Sequence, residues 1–234
     1  MAAKDCHSSM RLEAKAPVGP QLFRLLRDRI VRCEMKPGTR LSEADVAKSY
    51  GTSRGSVREA FIKLAEASLI EVLPQRGSYV SRIDVASVLA ARFIREAVEA
   101  DIVRCIAQTV QKSAVDELEA ILALQAEAVD IDDPQPFMTS DEAFHRKLSD
   151  LAGQGAGWDF LQPTKTQMDR VRHLTAQQFP RRILLQQHRE IVEAIKQGDA
   201  DTAEQKMRHH LRRILDDVPV VTDAHPDYFE SEQP

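Results

Sequence analysis

The feature of this sequence that most limits its fold is a change of pattern that is complete by residue 84. Helical spacing of apolar residues gives way to two short β-type segments, residues 70–73 and 78–81, on either side of a Pro-Gln-Arg-Gly turn. From residue 84 to about residue 217, apolar residues recur at helical spacing. This order predicts a mainly α protein, in which three helices and a β-hairpin precede an all-α helical bundle.

The same pattern divides the chain into four parts. Residues 1–17 are polar and aperiodic and are expected to form a flexible tail. Residues 18–82 hold three helices and the hairpin, an order that suggests a winged helix-turn-helix, and residues 83–218 hold an all-helical domain. Residues 219–234 lack a helical pattern and are expected to be a loose C-terminal tail. Helices of the third part are placed near residues 84–110, 113–130, 136–152, 157–178, 181–197 and 200–217, and Pro163 is expected to interrupt the fourth of them.

Charge and cysteine usage limit the class of protein. Residues 1–82 carry 15 Lys and Arg against 9 Asp and Glu, whereas the remainder carries 17 against 27. A basic first third suggests contact with a polyanion, although an unevenly charged solvated surface would give the same count. Three scattered cysteines without a CxxC pair, and no apolar run near the roughly 18 residues of a membrane span, lead us to expect a cytoplasmic protein.

The third predicted helix has the properties of a recognition helix. Apolar residues recur at i, i+3, i+4 and i+7 from Val57 to Leu64 and form its buried stripe. Arg54 and Arg58 project from another side, one turn apart, where guanidinium groups can grip phosphates or a guanine edge. Ser53 and Ser56, at the start of the helix, can add hydroxyl and backbone N–H bonds to phosphate.

The predicted hairpin supplies a second candidate contact with DNA. Arg76 and Gly77 lie at its tip, where a basic residue and a glycine can follow the minor groove or its backbone. If only one of Arg54 and Arg58 is considered, a solvent-exposed helix face without DNA contact is the simpler explanation. The turn, the hairpin and the local positive charge together favour contact with DNA.

This first third resembles the DNA-binding domain of the GntR superfamily of bacterial regulators. Residues 30–80 carry, in order, P-G-x-x-L, an S-R-x-x-V-R-E-A block and the R-G of the wing. One departure concerns the second helix, where some members place an Arg that reaches DNA and this chain has Glu43 and Ala44. That contact between the second helix and DNA is therefore expected to be absent here. By this resemblance the operator contacts would be Ser53, Arg54, Ser56, Arg58 and Gly77.

Four polar residues of the C-terminal half fall on otherwise apolar helix faces. Asp141 and His145 lie one turn apart in one helix, while His188 and His210 lie on the stripes of the last two helices. His209 points roughly 100° away from its neighbour. A single inward His is more often a core residue than a ligand, but burying three with a carboxylate is costly unless a cation satisfies them. Zinc is the first expectation, and manganese, iron or nickel would also suit these ligands.

The C-terminal half resembles the helical FCD sensor domain of the FadR-like branch of GntR regulators. The matching segments are R-E-A-V-E, D-E-A-F-H, Q-H-R-E-I-V-E-A-I-K-Q-G-D and M-R-H-H-L, which begin at residues 95, 141, 187 and 207. In metal-binding members one Asp and three His hold a divalent ion at the floor of a cavity. The resemblance assigns these roles to Asp141, His145, His188 and His210. It also implies a homodimer and a small effector at the metal.

Two arginines are candidates for binding that effector, which we expect to be a carboxylate, hydroxy acid or sugar acid. Arg95 is assigned to its carboxylate, since a guanidinium offers two parallel donors. The alternative is a surface pair between Arg95 and Glu99. Arg172 is a second candidate, supported by its expected place on a helix that lines the cavity.

The leading hypothesis is a homodimeric transcriptional regulator that reads a pseudo-palindromic operator on double-stranded DNA and responds to the effector. No enzyme activity is expected, since the chain has no HExxH, no nucleophile motif and no second carboxylate placed as a general base. Two alternatives stay open. One is a metal-dependent enzyme acting on a small acid, with an appended DNA-binding domain, and the other is a pure metal sensor.

Overall fold

The structure is a computed structural model that describes residues 12–13, 16–176 and 181–230. The fold is mainly α with one small sheet, which confirms the predicted fold class. The chain divides into two compact units between Arg82 and Ile83. The expected flexible tail, residues 1–17, lies mostly outside the described residues.

The first unit is a winged helix-turn-helix. Its elements, in chain order, are α1 (Val18–Val31), β1 (Arg40–Leu41), α2 (Glu43–Tyr50), α3 (Arg54–Glu66), β2 (Ile70–Leu73) and β3 (Gly77–Val80). The strands form an antiparallel sheet of order β1-β3-β2, in which Ile70 pairs with Val80 and Leu73 with Gly77.

Local sequence sets the ends of the two helices that form the turn. The Ser42 side chain accepts the backbone N–H of Asp45 and caps α2. Gly51 ends α2 with a φ of 60°, a left-handed conformation that costs glycine little. Two residues later the Ser53 side chain accepts the N–H of Ser56 and caps α3. Three residues, 51–53, therefore join α2 to α3.

The core of the first unit is built from the apolar stripes of its helices. The fully buried Leu22, Leu26 and Ile30 of α1 pack in one cluster with Val57 and Leu64 of α3. Since this stripe faces inward, the N-terminal arginines of α3 are left on the opposite, exposed side.

The second unit contains eight described α-helices. They are α4 (Val85–Gln108), α5 (Lys112–Ala128), α6 (Gln135–Leu151), α7 (Gly155–Thr164), α8 (Thr166–Thr175), α9 (Arg181–Lys196), α10 (Ala200–Arg212) and α11 (Ile214–Ala224). The main cluster of buried apolar side chains joins α4, α5, α6, α9 and α10. Among the described residues, no helix is both long and apolar enough to cross a membrane.

Two predicted helices are each divided in the structure. The helix expected over residues 157–178 is two helices that meet at Lys165, two residues after Pro163, which has no N–H to donate to the preceding turn. Residues 177 and 178 of that expectation lie outside the described part of the chain. The helix expected over residues 200–217 breaks at Arg213, where α10 ends and α11 begins.

The expectation of a loose tail from residue 219 onward is wrong for residues 219–230. Helix α11 continues through Pro219 to Ala224. Beyond it, Phe229 is 3% exposed, and Ile83 exchanges backbone hydrogen bonds with Tyr228 and Glu230. The physical reason is burial, since the apolar side chains of this segment pack with Ile83 in a second cluster of the unit.

Candidate metal centre and nucleic-acid interface

The four polar residues singled out on the C-terminal helices come together in the interior of the second unit. Asp141 and His145 project from α6, His188 from α9 and His210 from α10. One ligand atom from each lies within 4.8 Å of the others. His210 is 5% exposed and the other three side chains are fully buried. The neighbouring His209 is exposed, as the helical phase predicts.

Apolar packing orients these side chains. Phe144, on the buried face of α6, stacks on the ring of His188 with centroids 4.3 Å apart. On α10, the fully buried Ala203 and Met207 precede His210 by two turns and one turn. Since each helix buries its apolar stripe, the polar residue on that stripe is carried into the core with it.

A carboxylate fixes the proton position of His145. Its Nδ1 lies 2.6 Å from Oε2 of Glu99, a buried residue of α4. Although burial opposes ionisation, the charges of Arg95 and His145 lower the pKa of Glu99 to about 2. An ionised carboxylate only accepts hydrogen bonds, so Nδ1 of His145 is the donor. In the neutral ring, Nε2 of His145 therefore carries a lone pair.

An amide fixes His188 in the same way. The Nε2 group of Gln125 donates to the backbone oxygen of Ser140 at 3.2 Å, which turns its Oε1 toward His188. Oε1 lies 2.9 Å from Nδ1 of His188, so Nδ1 donates and Nε2 carries a lone pair. Burial lowers the pKa of His188 to about 3, and the ring is neutral at physiological pH.

The third imidazole faces both of these lone pairs. Nε2 of His210 lies 3.2 Å from Nε2 of His188 and 3.3 Å from Nε2 of His145. Burial lowers the pKa of His210 well below its ordinary value, so this ring is neutral as well. A neutral imidazole carries one proton and can satisfy at most one of the two facing atoms. When all three rings are neutral, at least one of the two facing Nε2 lone pairs is therefore left without a donor.

Asp141 supplies the remaining donor. Its Oδ2 accepts from Arg172, whereas its Oδ1 is buried without a hydrogen-bond partner among the described residues. Burial opposes ionisation of Asp141, but the positive charge of Arg172 holds its pKa far below the usual range. Three inward-facing imidazole nitrogens and a buried carboxylate oxygen without a hydrogen-bond partner match the ligand types of a divalent cation such as Zn²⁺. The residues present therefore fit a metal ion.

The two candidate effector arginines both line one cavity of the second unit, together with His210. Arg95 is 2% exposed and its Nε donates to Oε1 of Glu99 at 2.5 Å. From the sequence, the alternative to effector binding is a surface pair between Arg95 and Glu99. This pair is present, but both residues are buried. Arg172 contacts Asp141, and so it lies directly beside the metal donors.

Sequence reasoning missed the residues that orient the imidazoles. Gln125 follows the buried Leu118 and Leu122 on the apolar stripe of α5, and an uncharged polar residue on such a stripe was the available signal. Gln187 also orients an imidazole, since its Oε1 lies 3.0 Å from Nδ1 of His210. It gives no such signal, because it directly precedes His188 in the helix and so points away from the apolar stripe on which His188 lies.

The candidate recognition helix presents its arginines to solvent. The side chains of Arg54 and Arg58 are 70% and 69% exposed. Both face Glu43 of α2, to which Arg58 donates from Nε at 3.2 Å and from Nη2 at 3.3 Å. Nη2 of Arg54 lies 4.0 Å from the same carboxylate. Ser53 caps the helix, since its Oγ accepts the backbone N–H of Ser56. The same Oγ lies 3.1 Å from Oγ of Ser56.

The wing carries one more basic residue than the sequence indicated. Arg76 is exposed in the turn, and Gly77 adopts a φ of 105°, which side chains rarely tolerate. A Cβ at Gly77 would lie 3.2 Å from Nε of Arg40, which pairing of β1 with β3 brings to the hairpin. Arg40 and Arg76 thus form a small basic surface at the wing.

Comparison with known proteins agrees with these features. Residues 20–80 match the bacterial regulatory proteins of the gntR family, and residues 91–213 match the FCD domain. The HTH-type transcriptional repressor RspR of Escherichia coli strain K12 is 38% identical over 223 residues, which cover 95% of this chain and 98% of the relative. A regulator encoded in an unstable DNA locus of Streptomyces ambofaciens is 37% identical over 90% of this chain and 89% of the relative.

Comparison with a solved structure supports the same fold. A GntR transcriptional regulator from Rhodococcus sp. RHA1 is similar with a TM-score of 0.71 at 25% identity, over 87% of this chain and 97% of that one. The resemblance recognised in the sequence motifs is thereby confirmed. With the FCD match spanning its C-terminal half, and with 38% identity to RspR over nearly its whole length, the chain belongs to the gntR family of bacterial regulatory proteins and carries an FCD domain.

Proposed function

We propose that this protein is a DNA-binding transcriptional regulator whose operator binding is controlled by a small organic acid bound at a metal ion in the FCD domain. The observation that carries the proposal is the convergence of three Nε2 atoms on one another, beside the unpartnered Oδ1 of Asp141. Without a cation this arrangement leaves at least one buried Nε2 lone pair and Oδ1 of Asp141 without a donor, which is costly.

Asp141, His145, His188 and His210 would hold the metal, with zinc the first expectation. When bound, the ion supplies a fixed positive charge to which carboxylate or hydroxyl oxygens can bind. Glu99, Gln125 and Gln187 keep the Nδ1 side of each ring occupied, so that each Nε2 is presented inward.

The effector is proposed to bind in the cavity that His210 shares with Arg95 and Arg172. A carboxylate there would meet guanidinium donors as well as the metal. Arg95 holds Glu99, which in turn contacts His145, so an effector that moves this arginine also perturbs a metal ligand. Control of DNA binding requires only that the effector prefers one conformation of the protein.

On DNA, Arg54 and Arg58 of α3 are proposed to enter the major groove, with Ser53 and Ser56 on phosphate. Arg76 and Gly77 would follow the wing along the backbone or minor groove. A homodimer would read a pseudo-palindromic operator, and repression is the proposed sign of control because the relative RspR is named as a repressor. Because the proposed binding partner is bacterial operator DNA, we propose that the protein is located in the cytoplasm.

The test uses the full chain, stripped with chelator and reloaded with Zn²⁺, Mn²⁺, Fe²⁺ or Ni²⁺, and an operator fragment that the protein itself selects from a random DNA library. Fluorescence anisotropy of this fragment is followed while carboxylic, hydroxy and sugar acids are added. We expect at least one acid to change operator affinity about 5- to 150-fold in the loaded protein and not in the stripped protein.

Three results would contradict the proposal. An acid that acts equally on stripped protein would remove the metal from the mechanism. A response to metal alone, with every acid inert, would make the protein a metal sensor. Steady turnover of an acid, abolished by His188→Ala, would make it an enzyme.

A further inference from the structure

Arg92 and Arg95 lie three residues apart on α4, and both line the cavity proposed to hold the effector. Residues at this spacing are neighbours on one helix face. The side chain of Arg92 is 17% exposed and that of Arg95 is 2% exposed. The cavity therefore has two largely buried guanidinium groups on one wall.

Each of these guanidinium groups is only partly satisfied. Nη1 of Arg92 donates to Glu96 at 2.5 Å, and Nε of Arg95 donates to Glu99 at 2.5 Å. Nε of Arg92 and Nη2 of Arg95 are buried and have no hydrogen-bond partner among the described residues. A buried donor on a charged group is costly to leave unpaired, and the described part of the chain offers these two atoms no acceptor.

The arginine pair is separate from the metal donors. Oε1 of Glu99 holds Arg95, whereas Oε2 contacts Nδ1 of His145, on the side of the ring opposite the metal-facing Nε2. The Glu99 carboxylate and an imidazole ring thus connect Arg95 to the metal-facing atom. Arg95 and the metal-facing Nε2 atom therefore lie on opposite sides of the contact between Glu99 and His145.

The rest of the wall suits an organic anion. Apolar side chains, among them Met138, Met168 and Leu211, line the space between polar groups. Asp217 is the single acidic residue among the described lining residues, and it is paired with Arg213. Little in this part of the cavity would repel a second negative charge.

We infer that Arg92 and Arg95 form an anion subsite of their own, so that the effector is a small acid with two anionic groups, such as a dicarboxylate. One group binds at the metal centre and the other accepts from Nε of Arg92 and Nη2 of Arg95. The inference rests on the proposed function and narrows its ligand class from acids in general to diacids.

The test compares acids that differ by one carboxylate. Isothermal titration calorimetry on the zinc-loaded full chain uses gluconate against glucarate, 3-hydroxybutyrate against malate, and further matched pairs of two to six carbons. We expect the diacid of at least one pair to bind about 10- to 100-fold more tightly than its monoacid, since charge-assisted hydrogen bonds are worth about that factor. Arg92→Gln should abolish this preference and leave monoacid affinity within about twofold, and Arg92→Lys should recover part of it.

Arg212→Gln is the matched control. Arg212 also donates to Glu96, at 2.9 and 2.6 Å, but it is not among the described residues that line the cavity. This variant should keep the full preference for diacids. Equal losses in Arg92→Gln and Arg212→Gln would mean that a loosened Glu96 causes the effect, which overturns the inference.

The outcomes also separate the inference from the proposed function. If acids bind the loaded protein but no diacid outperforms its monoacid, the inference fails and the proposed function stands. If no acid of either kind binds, both fail.

Discussion

His188 and His210, from two different helices, face each other through their Nε2 atoms at 3.2 Å. The Nδ1 atom of each ring lies against a glutamine oxygen, that of Gln125 or Gln187. The folded chain therefore uses its polar side chains to turn both lone pairs toward one point. Such an arrangement is stable when a cation occupies that point, because the ion then binds both lone pairs.

Replacing His210 by Ala should remove metal binding, whereas replacing the exposed His209 should not. Loss of a ligand removes the stabilisation that bound metal gives the folded state, about 2.7 kcal/mol at a metal concentration 100 times Kd. Metal content by mass spectrometry and the thermal midpoint with and without chelator measure the effect. Equal losses in the two variants would mean that the phase of α10 is misassigned.

Replacing Gln125 by Leu should weaken metal affinity by roughly 10- to 100-fold without removing a ligand. The side chain of Gln125 fixes the proton of His188 on Nδ1, and without it that ring is free to place the proton on Nε2. Competition with a chromophoric chelator gives the affinity. Gln186→Leu, on the exposed face of α9, is the control, and a matching loss there would count against the orienting role of Gln125.

Arg58→Ala should weaken operator binding by roughly tenfold or more if the side chain reads a base, while acid binding to the FCD domain stays the same. The side chain is exposed and its partner Glu43 lies at the surface, so little stability should be lost. Anisotropy with the selected operator measures affinity. Lys63→Ala, at the other end of α3, should have a smaller effect, and unchanged affinity in Arg58→Ala would exclude the proposed contact.

Glu43→Gln should strengthen binding to random-sequence DNA by several-fold. The carboxylate engages Arg58 and lies near Arg54, so its removal frees guanidinium donors for phosphate and lowers repulsion from the DNA backbone. A plot of the logarithm of the binding constant against the logarithm of salt concentration should become steeper, by the amount expected for about one additional phosphate contact. Weaker binding to random DNA would show that the carboxylate instead holds these arginines in the binding conformation.

The stability of the FCD domain should depend on the ionisation of Glu96. Arg212 in particular, together with Arg92, lowers the pKa of this largely buried carboxyl below its usual value of 4.5 in the folded state. A depressed pKa contributes stability that is present above pH 4.5 and is lost as pH falls below it. Glu96→Gln should therefore reduce the free energy of unfolding by about 1–3 kcal/mol at pH 7 and by less at pH 4, measured by urea denaturation. A difference that does not change with pH would contradict this.

Much of the fold follows from local pattern. The Ser42 cap, the glycine at residue 51 and the apolar stripe of α3 are short-range features, and they predict the winged helix-turn-helix that the structure contains. The pattern fails where burial is decided by distant partners. Pro219 and the residues after it look like a tail in sequence, but Phe229 is buried because Ile83, far away in the chain, packs beside it.

Helical spacing alone assigns the apolar helix faces, and with them the outward direction of His209 and the inward direction of Asp141, His145, His188 and His210. The partners of those side chains, in contrast, depend on how the helices pack. Gln125 is 63 residues from His188, Glu99 is 46 residues from His145, and Arg92 gains its role from the cavity it borders. Helical periodicity is a property of neighbours within a few residues, whereas a proton position or an unpaired donor depends on atoms that only packing brings together.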